Sequence, residues 1–158
     1  MRINDIEKFF NENVSKAELN QISLEKETGT SLINSTKLSF DFDTINQKIK
    51  TSDTVYFKDN KIIFVEFKSG GIKKIDFRLK ATESIISFYN YIFENGFVDK
   101  MSFPNENFQI YFIYNSASSP SALFTFSTVE RELTNEYKHL FSKLKVIDNN
   151  RFKKLFGI

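Results

Sequence analysis

Between Thr54 and Phe67, two β-rich runs, Val55-Tyr56-Phe57 and Ile62-Ile63-Phe64-Val65, flank the tetrapeptide Lys58-Asp59-Asn60-Lys61. Asp-Asn tolerates the positive φ that both central positions of a type I′ turn require, so the stretch predicts a two-residue β-hairpin. Such a turn fixes the register. Lys58 pairs with Lys61, Phe57 with Ile62 and Val55 with Phe64, and Asp53 falls opposite Glu66. Side chains alternate across a sheet, so Asp53, Val55, Phe57, Ile62, Phe64, Glu66 and Lys68 share one face. Both faces of the second strand are apolar, which predicts a sheet covered on two sides.

The rest of the chain supplies elements around that hairpin. Ile3, Ile6, Phe9 and Phe10 have helical spacing, with Asn4 as a cap and Glu7 as its capping-box partner, giving a first helix over 4–14. Residues 15–35 are polar and weakly patterned, and no element is assigned there. Lys37 to Phe42 alternates as a strand. After the Ser69-Gly70-Gly71 break, a long helix spans Asp76 to Glu94 and stops at Asn95-Gly96. Phe108 to Tyr114 reads as a strand, Ser116 to Ser121 as a loop and Ala122 to Phe126 as a further strand. Ser127 with Glu130 forms a second capping box, opening a C-terminal helix over 128–145. With no internal repeat and no linker, residues 1–158 are expected to form a single layered α/β domain.

Composition narrows the chemistry. Among 158 residues 41% are apolar and 19 are Phe, enough for a core without staples. Without cysteine there are no disulfides, thiolate nucleophiles or Cys-built zinc sites. His139 is the only histidine, so the His dyads and triads of nucleophilic catalysis are not expected. No apolar leader or membrane-length apolar span is present, so a soluble cytoplasmic protein without a membrane partner is expected. The net charge of +2 is not the strongly basic balance of a tight non-specific nucleic-acid binder.

The chemistry gathers at the open end of the hairpin. Two opposed carboxylates with Cβ atoms ~5 Å apart repel each other unless a cation lies between them. A divalent metal and Lys68 would answer that need. Hard oxygen ligands favour Mg²⁺ or Mn²⁺, held by Asp53 and Glu66 with the backbone carbonyl of Phe67 as a further donor. Lys68 would orient or deprotonate a water, or balance charge in the transition state. Lys73, Lys74, Arg78 and Lys80 follow directly, where a phosphate backbone would pass the site. Positive charge at a helix N-terminus is mildly unfavourable, which gives reason to look for an anionic partner.

Ser52-Asp53, an intervening strand and Val65-Glu66-Phe67-Lys68 together resemble the bipartite motif of the PD-(D/E)xK nuclease superfamily, with a spacing similar to that of archaeal Holliday-junction resolvases. The resemblance covers roughly residues 37–114. It implies a restriction-endonuclease-like three-layer core, with a mixed sheet of about four to five strands flanked by helices. It also implies Mg²⁺-dependent hydrolysis of DNA, or of RNA, by water without a covalent intermediate. Members usually add an acid from the first helix, for which Glu7 and Glu12 are the candidates, with Glu18, Glu25 and Glu27 also open. Some place a polar or basic residue on the helix after the motif, where Arg78 or Lys80 stands. Homodimers, as in the junction resolvases, and partner proteins are both compatible with the resemblance. Ser52 departs from the Pro often found before the aspartate. Acid-x-Lys triplets also occur at Asp59-Asn60-Lys61 and Glu136-Tyr137-Lys138, but only Glu66-Phe67-Lys68 ends an apolar strand with an acid across the hairpin. Two other readings stand beside this one: a solvent-facing ion pair at a strand end, and a catalytically inactive nuclease-fold module of a mobile element or defence system.

Overall fold

The computed structural model of the chain describes residues 3–45, 49, 51–68, 73–98 and 107–158. Its centre is the hairpin of β5 (Thr54–Lys58) and β6 (Lys61–Lys68). Asp59 and Asn60 take φ values of 51° and 56°, the left-handed pair of a type I′ turn. The pairing runs Lys58 to Lys61, Phe57 to Ile62, Val55 to Phe64 and Thr54 to Val65, as the turn chemistry dictates.

Around it lie β1 (Lys16–Glu18) and β4 (Leu38–Asp41) on one side, and β7 (Phe108–Tyr114) and β8 (Lys143–Asp148) on the other. The sheet order is β1-β4-β5-β6-β7-β8. Pairing is antiparallel from β1 to β6 and parallel from β6 to β8. A separate ribbon joins β2 (Leu24–Glu25) to β3 (Thr30–Ser31). The helices are α1 (Ile3–Asn13), α2 (Leu19–Ile22), α3 (Lys74–Glu94), α4 (Pro120–Glu136) and α5 (Asn149–Phe156). A 3-10 turn, Phe42–Ile45, follows β4.

Alternation along β6 sends its apolar side chains to two cores. Ile62 and Phe64 join α1, α3 and α4 on one face, whereas Ile63 and Val65 meet α5, Leu19, Leu32 and Ile33 on the other. Phe64 lies parallel to Phe108, with centroids 5.8 Å apart, and also contacts Phe42 at a tilt and Phe88 in a T-shaped arrangement. On the second face Phe152 packs against Phe67 and Tyr56. The abundant phenylalanines thus fill a sheet covered on both sides, and the chain is a mixed α/β fold. No helix among the described residues is long and apolar enough to cross a membrane.

Several expectations need correction. Asn4 lies within α1 and does not cap it, because Ile3 is already helical and buries with Ile6 and Phe10 along one stripe. Residues 15–35, unassigned from sequence, provide β1, α2 and the β2–β3 ribbon. Ala122 to Phe126 is not a strand. Pro120 occupies the first turn of α4, Ser119 Oγ accepts from Ala122 N–H as the cap, and Phe126, Val129 and Leu133 are its buried stripe. The helix expected over 128–145 therefore ends at Glu136, and Leu144 and Val146 belong to β8 and bury against α4. That strand brings the sheet to six strands, where four to five were expected.

Candidate functional site

The open end of the hairpin is built from polar residues that have lost their water. Thr51, Ser52 and Thr54 are fully buried, and each has a partner. Ser52 N–H donates to Ser84 Oγ at 2.8 Å, and the two hydroxyls lie 2.8 Å apart, tying the start of β5 to α3. Thr54 Oγ1 shares a 2.6 Å hydrogen bond with Ser39 Oγ of β4. Thr51 Oγ1 donates to Asp43 Oδ1 at 2.6 Å. Ser52, the departure from the resembled motif, is thus the anchor that fixes Asp53 between strand and helix.

The hairpin pairing ends at Thr54 and Val65, one position short of Asp53 and Glu66, and Asp53 Oδ2 accepts from Phe67 N–H at 2.6 Å. The Glu66 side chain is only 3% exposed. Lys68 Nζ stands 2.8 Å from Glu66 Oε1, and Lys80 Nζ reaches in from α3 to 3.1 Å from Oε2 and 4.0 Å from Asp53 Oδ1. Lys80 also donates to the Thr51 carbonyl at 2.5 Å. Buried Glu66 thus has one ammonium at each oxygen, Lys68 at Oε1 and Lys80 at Oε2.

Electrostatics follow from this crowding. Burial, then the Glu66 carboxylate, holds the Asp53 carboxyl well above the usual carboxylate range, with Asp43 adding to the effect; Lys80 and Phe67 N–H oppose it. For Lys80, burial works against the ammonium, but Glu66 and Asp53 outweigh it and raise its pKa. Two acids and two ammoniums therefore share one water-poor box. A cavity of about 190 Å³ lined by Lys68, Asp76, Leu79 and Lys80 opens beside it.

The structure thus brings together Asp53, Glu66, Lys68 and Lys80. It does not bring Glu7 or Glu12 to them. Both lie on α1, which packs through Phe9 and Phe10 against Phe40, Phe57, Phe88, Tyr91 and Phe97; Phe57 marks the turn end of the hairpin. Among the described residues no group of three or more acids or histidines stands close enough to hold a metal. The expected basic cluster divides. Lys73 is exposed, whereas Lys74 pairs with Glu132 and Glu136, and Arg78 with Glu136, on α4. Gly70 and Gly71 lie outside the described residues.

Sequence reasoning placed Lys80 on the helix after the motif but did not see that it points at the acids. It also missed Asp43, Thr51 and Ser84. One signal was present: Ser84 sits on the stripe of Phe77, Ala81 and Phe88, a polar residue where an apolar one belongs. No family model, curated protein or solved structure matches the chain.

Proposed function

We propose that the Asp53–Glu66 pair is the divalent-metal site of a nuclease that hydrolyses phosphodiester bonds of DNA, or of RNA, with water as nucleophile. The observation that carries this reading is the buried Glu66 carboxylate, 3% exposed, beside a second carboxylate whose ionisation the site resists, with a cation, Lys80, already drawn to both. The donor set fits Mg²⁺ or Mn²⁺, which need only one or two protein carboxylates and complete their shell with water and phosphate. A bound divalent ion would polarise a phosphoryl oxygen and acidify a water.

The chain's own residues supply the rest. Glu66 on β6 and Asp53, just before β5, would hold the cation, and the Phe67 N–H fixes one Asp53 oxygen so that the other faces Lys80. Lys68, 22% exposed at the rim, is placed to orient the attacking water and to balance charge on the phosphoryl group. The similarity to the PD-(D/E)xK motif supports the same reading, and the mixed sheet with helices on both faces agrees with it in outline.

A second reading has an observation of its own. Lys68 and Lys80 already neutralise the acids, as an inactive nuclease-fold module would require if its metal site had been taken over by lysine. One experiment separates the two. Linear, branched and single-stranded DNA and structured RNA are incubated with wild type and Asp53→Asn in Mg²⁺, Mn²⁺ or EDTA. The nuclease reading predicts metal-dependent cleavage that falls by at least about 10²-fold in the variant. Absence of cleavage, with nucleic-acid or protein binding equal in both proteins, supports the inactive module.

A further inference from the structure

Resting on the metal reading above, we propose that Lys80 is the site's resident cation, displaced when a divalent ion binds and received by Asp76 in the adjoining cavity. Three features of the geometry carry this. First, Lys80 Nζ lies where a shared cation would lie, 3.1 Å from Glu66 Oε2 and 4.0 Å from Asp53 Oδ1. A divalent ion shared by Glu66 Oε2 and Asp53 Oδ1 would take the position that the Lys80 ammonium occupies between them, so the two compete for it. Second, Lys80 is not committed to Glu66 alone: its ammonium, 3.1 Å from Oε2, also donates to the Thr51 carbonyl at 2.5 Å.

Third, the displaced ammonium has a destination. The cavity of about 190 Å³ is lined by Lys80 itself, Lys68, Leu79 and Asp76. Asp76 precedes Lys80 by one helical turn on α3, the i, i+4 order in which an acid and a lysine pair favourably. A four-carbon stem pivoting about its own Cα can exchange one carboxylate for the other without moving the helix. Lys68 does not play this part: its ammonium lies 2.8 Å from the other Glu66 oxygen, Oε1.

Lys80 then has two tasks. In the metal-free protein it makes a buried carboxylate pair tolerable. In the metal-bound protein it places a second ammonium beside Lys68 at the cavity, facing the anionic substrate. Metal affinity is accordingly set by competition with a side chain of the protein itself.

The test is Mn²⁺ titration by calorimetry on full-length wild type, Lys80→Met, Lys80→Gln and Asp76→Asn, with thermal melts of each in EDTA. Lys80→Gln keeps a donor for the Thr51 carbonyl and serves if Lys80→Met fails to fold. The Lys80 variants are expected to melt below wild type in EDTA and to bind Mn²⁺ roughly tenfold more tightly. Asp76→Asn is expected to bind more weakly than wild type, having lost the receiving carboxylate. Equal or weaker affinity in the Lys80 variants, with wild type binding normally, overturns the role of Lys80 and leaves the metal site standing. Unchanged affinity in Asp76→Asn overturns the exchange with Asp76. Absence of Mn²⁺ binding in every protein overturns both this inference and the metal reading beneath it.

Discussion

Asp53 loses water on folding and faces the Glu66 carboxylate, so its proton is held more tightly in the folded chain than in the unfolded one. For an acid with a raised folded pKa, the associated stability is fully present below the unfolded value and is lost as pH rises through the folded value. Metal-free protein is therefore expected to melt higher at mildly acidic pH than at neutral pH. Asp53→Asn, which cannot ionise, should flatten that slope and raise the melting temperature at neutral pH. Melts in EDTA from about pH 5 to 8 check this, and parallel profiles for the two proteins would contradict it. Lys80 does not contribute to the slope: its raised pKa keeps its stabilisation intact until strongly alkaline pH. At this scale Asp53, Glu66 and Lys68 were legible because a two-residue turn sets the register of every residue beyond it. The inward aim of Lys80 was not, because the rotation of α3 is decided by how Phe77, Ala81, Ser84 and Phe88 seat against the sheet.

Among the elements, the hairpin turn and α4 make the sharpest contrast. Asp59 and Asn60 both adopt positive φ, a demand their residue types announce. Asn60→Gly is expected to be neutral to stabilising by a few tenths of a kcal/mol, and Asn60→Val to cost about 1–2 kcal/mol, in chemical denaturation. The start of α4 was misread because Ser119-Pro120 stands among other loop-forming residues, and its cap shows only when Ser119 Oγ is seen to accept from Ala122 N–H. Ser119→Ala should cost about 1 kcal/mol. Beyond Glu136, Leu140, Phe141 and Leu144 still fit a helical period, yet Leu144 pairs with Ile110 as part of a strand. A short run of mixed apolar and lysine residues carries both periods, and only pairing with β7 decides between them. The ion pairs between α3 and α4 yield a prediction as well. Glu136→Gln frees Arg78 and loosens Lys74, so non-specific nucleic-acid affinity and its salt dependence should both increase, as read by fluorescence anisotropy across a salt series.

For the molecule as a whole, two apolar faces on one sheet were foreseeable from the unbroken apolar run of β6, and the helices on both sides follow from it. The sixth strand and the elements of 15–35 were not foreseeable, since their few residues become ordered by pairing with strands distant in sequence. Phe64 joins the first core to the hairpin that carries the acids. Phe64→Ala should cost about 3–5 kcal/mol, whereas Phe124→Ala, at a position 74% exposed, should change stability by less than about 0.5 kcal/mol. Whether the fold serves phosphodiester hydrolysis turns on whether the paired carboxylates hold a divalent cation. The most direct measurement is Mn²⁺ binding by calorimetry to concentrated wild type and to Glu66→Ala, without nucleic acid. The account predicts binding in the wild type that is lost in the variant; equal binding in the two, or none in the wild type, would contradict it.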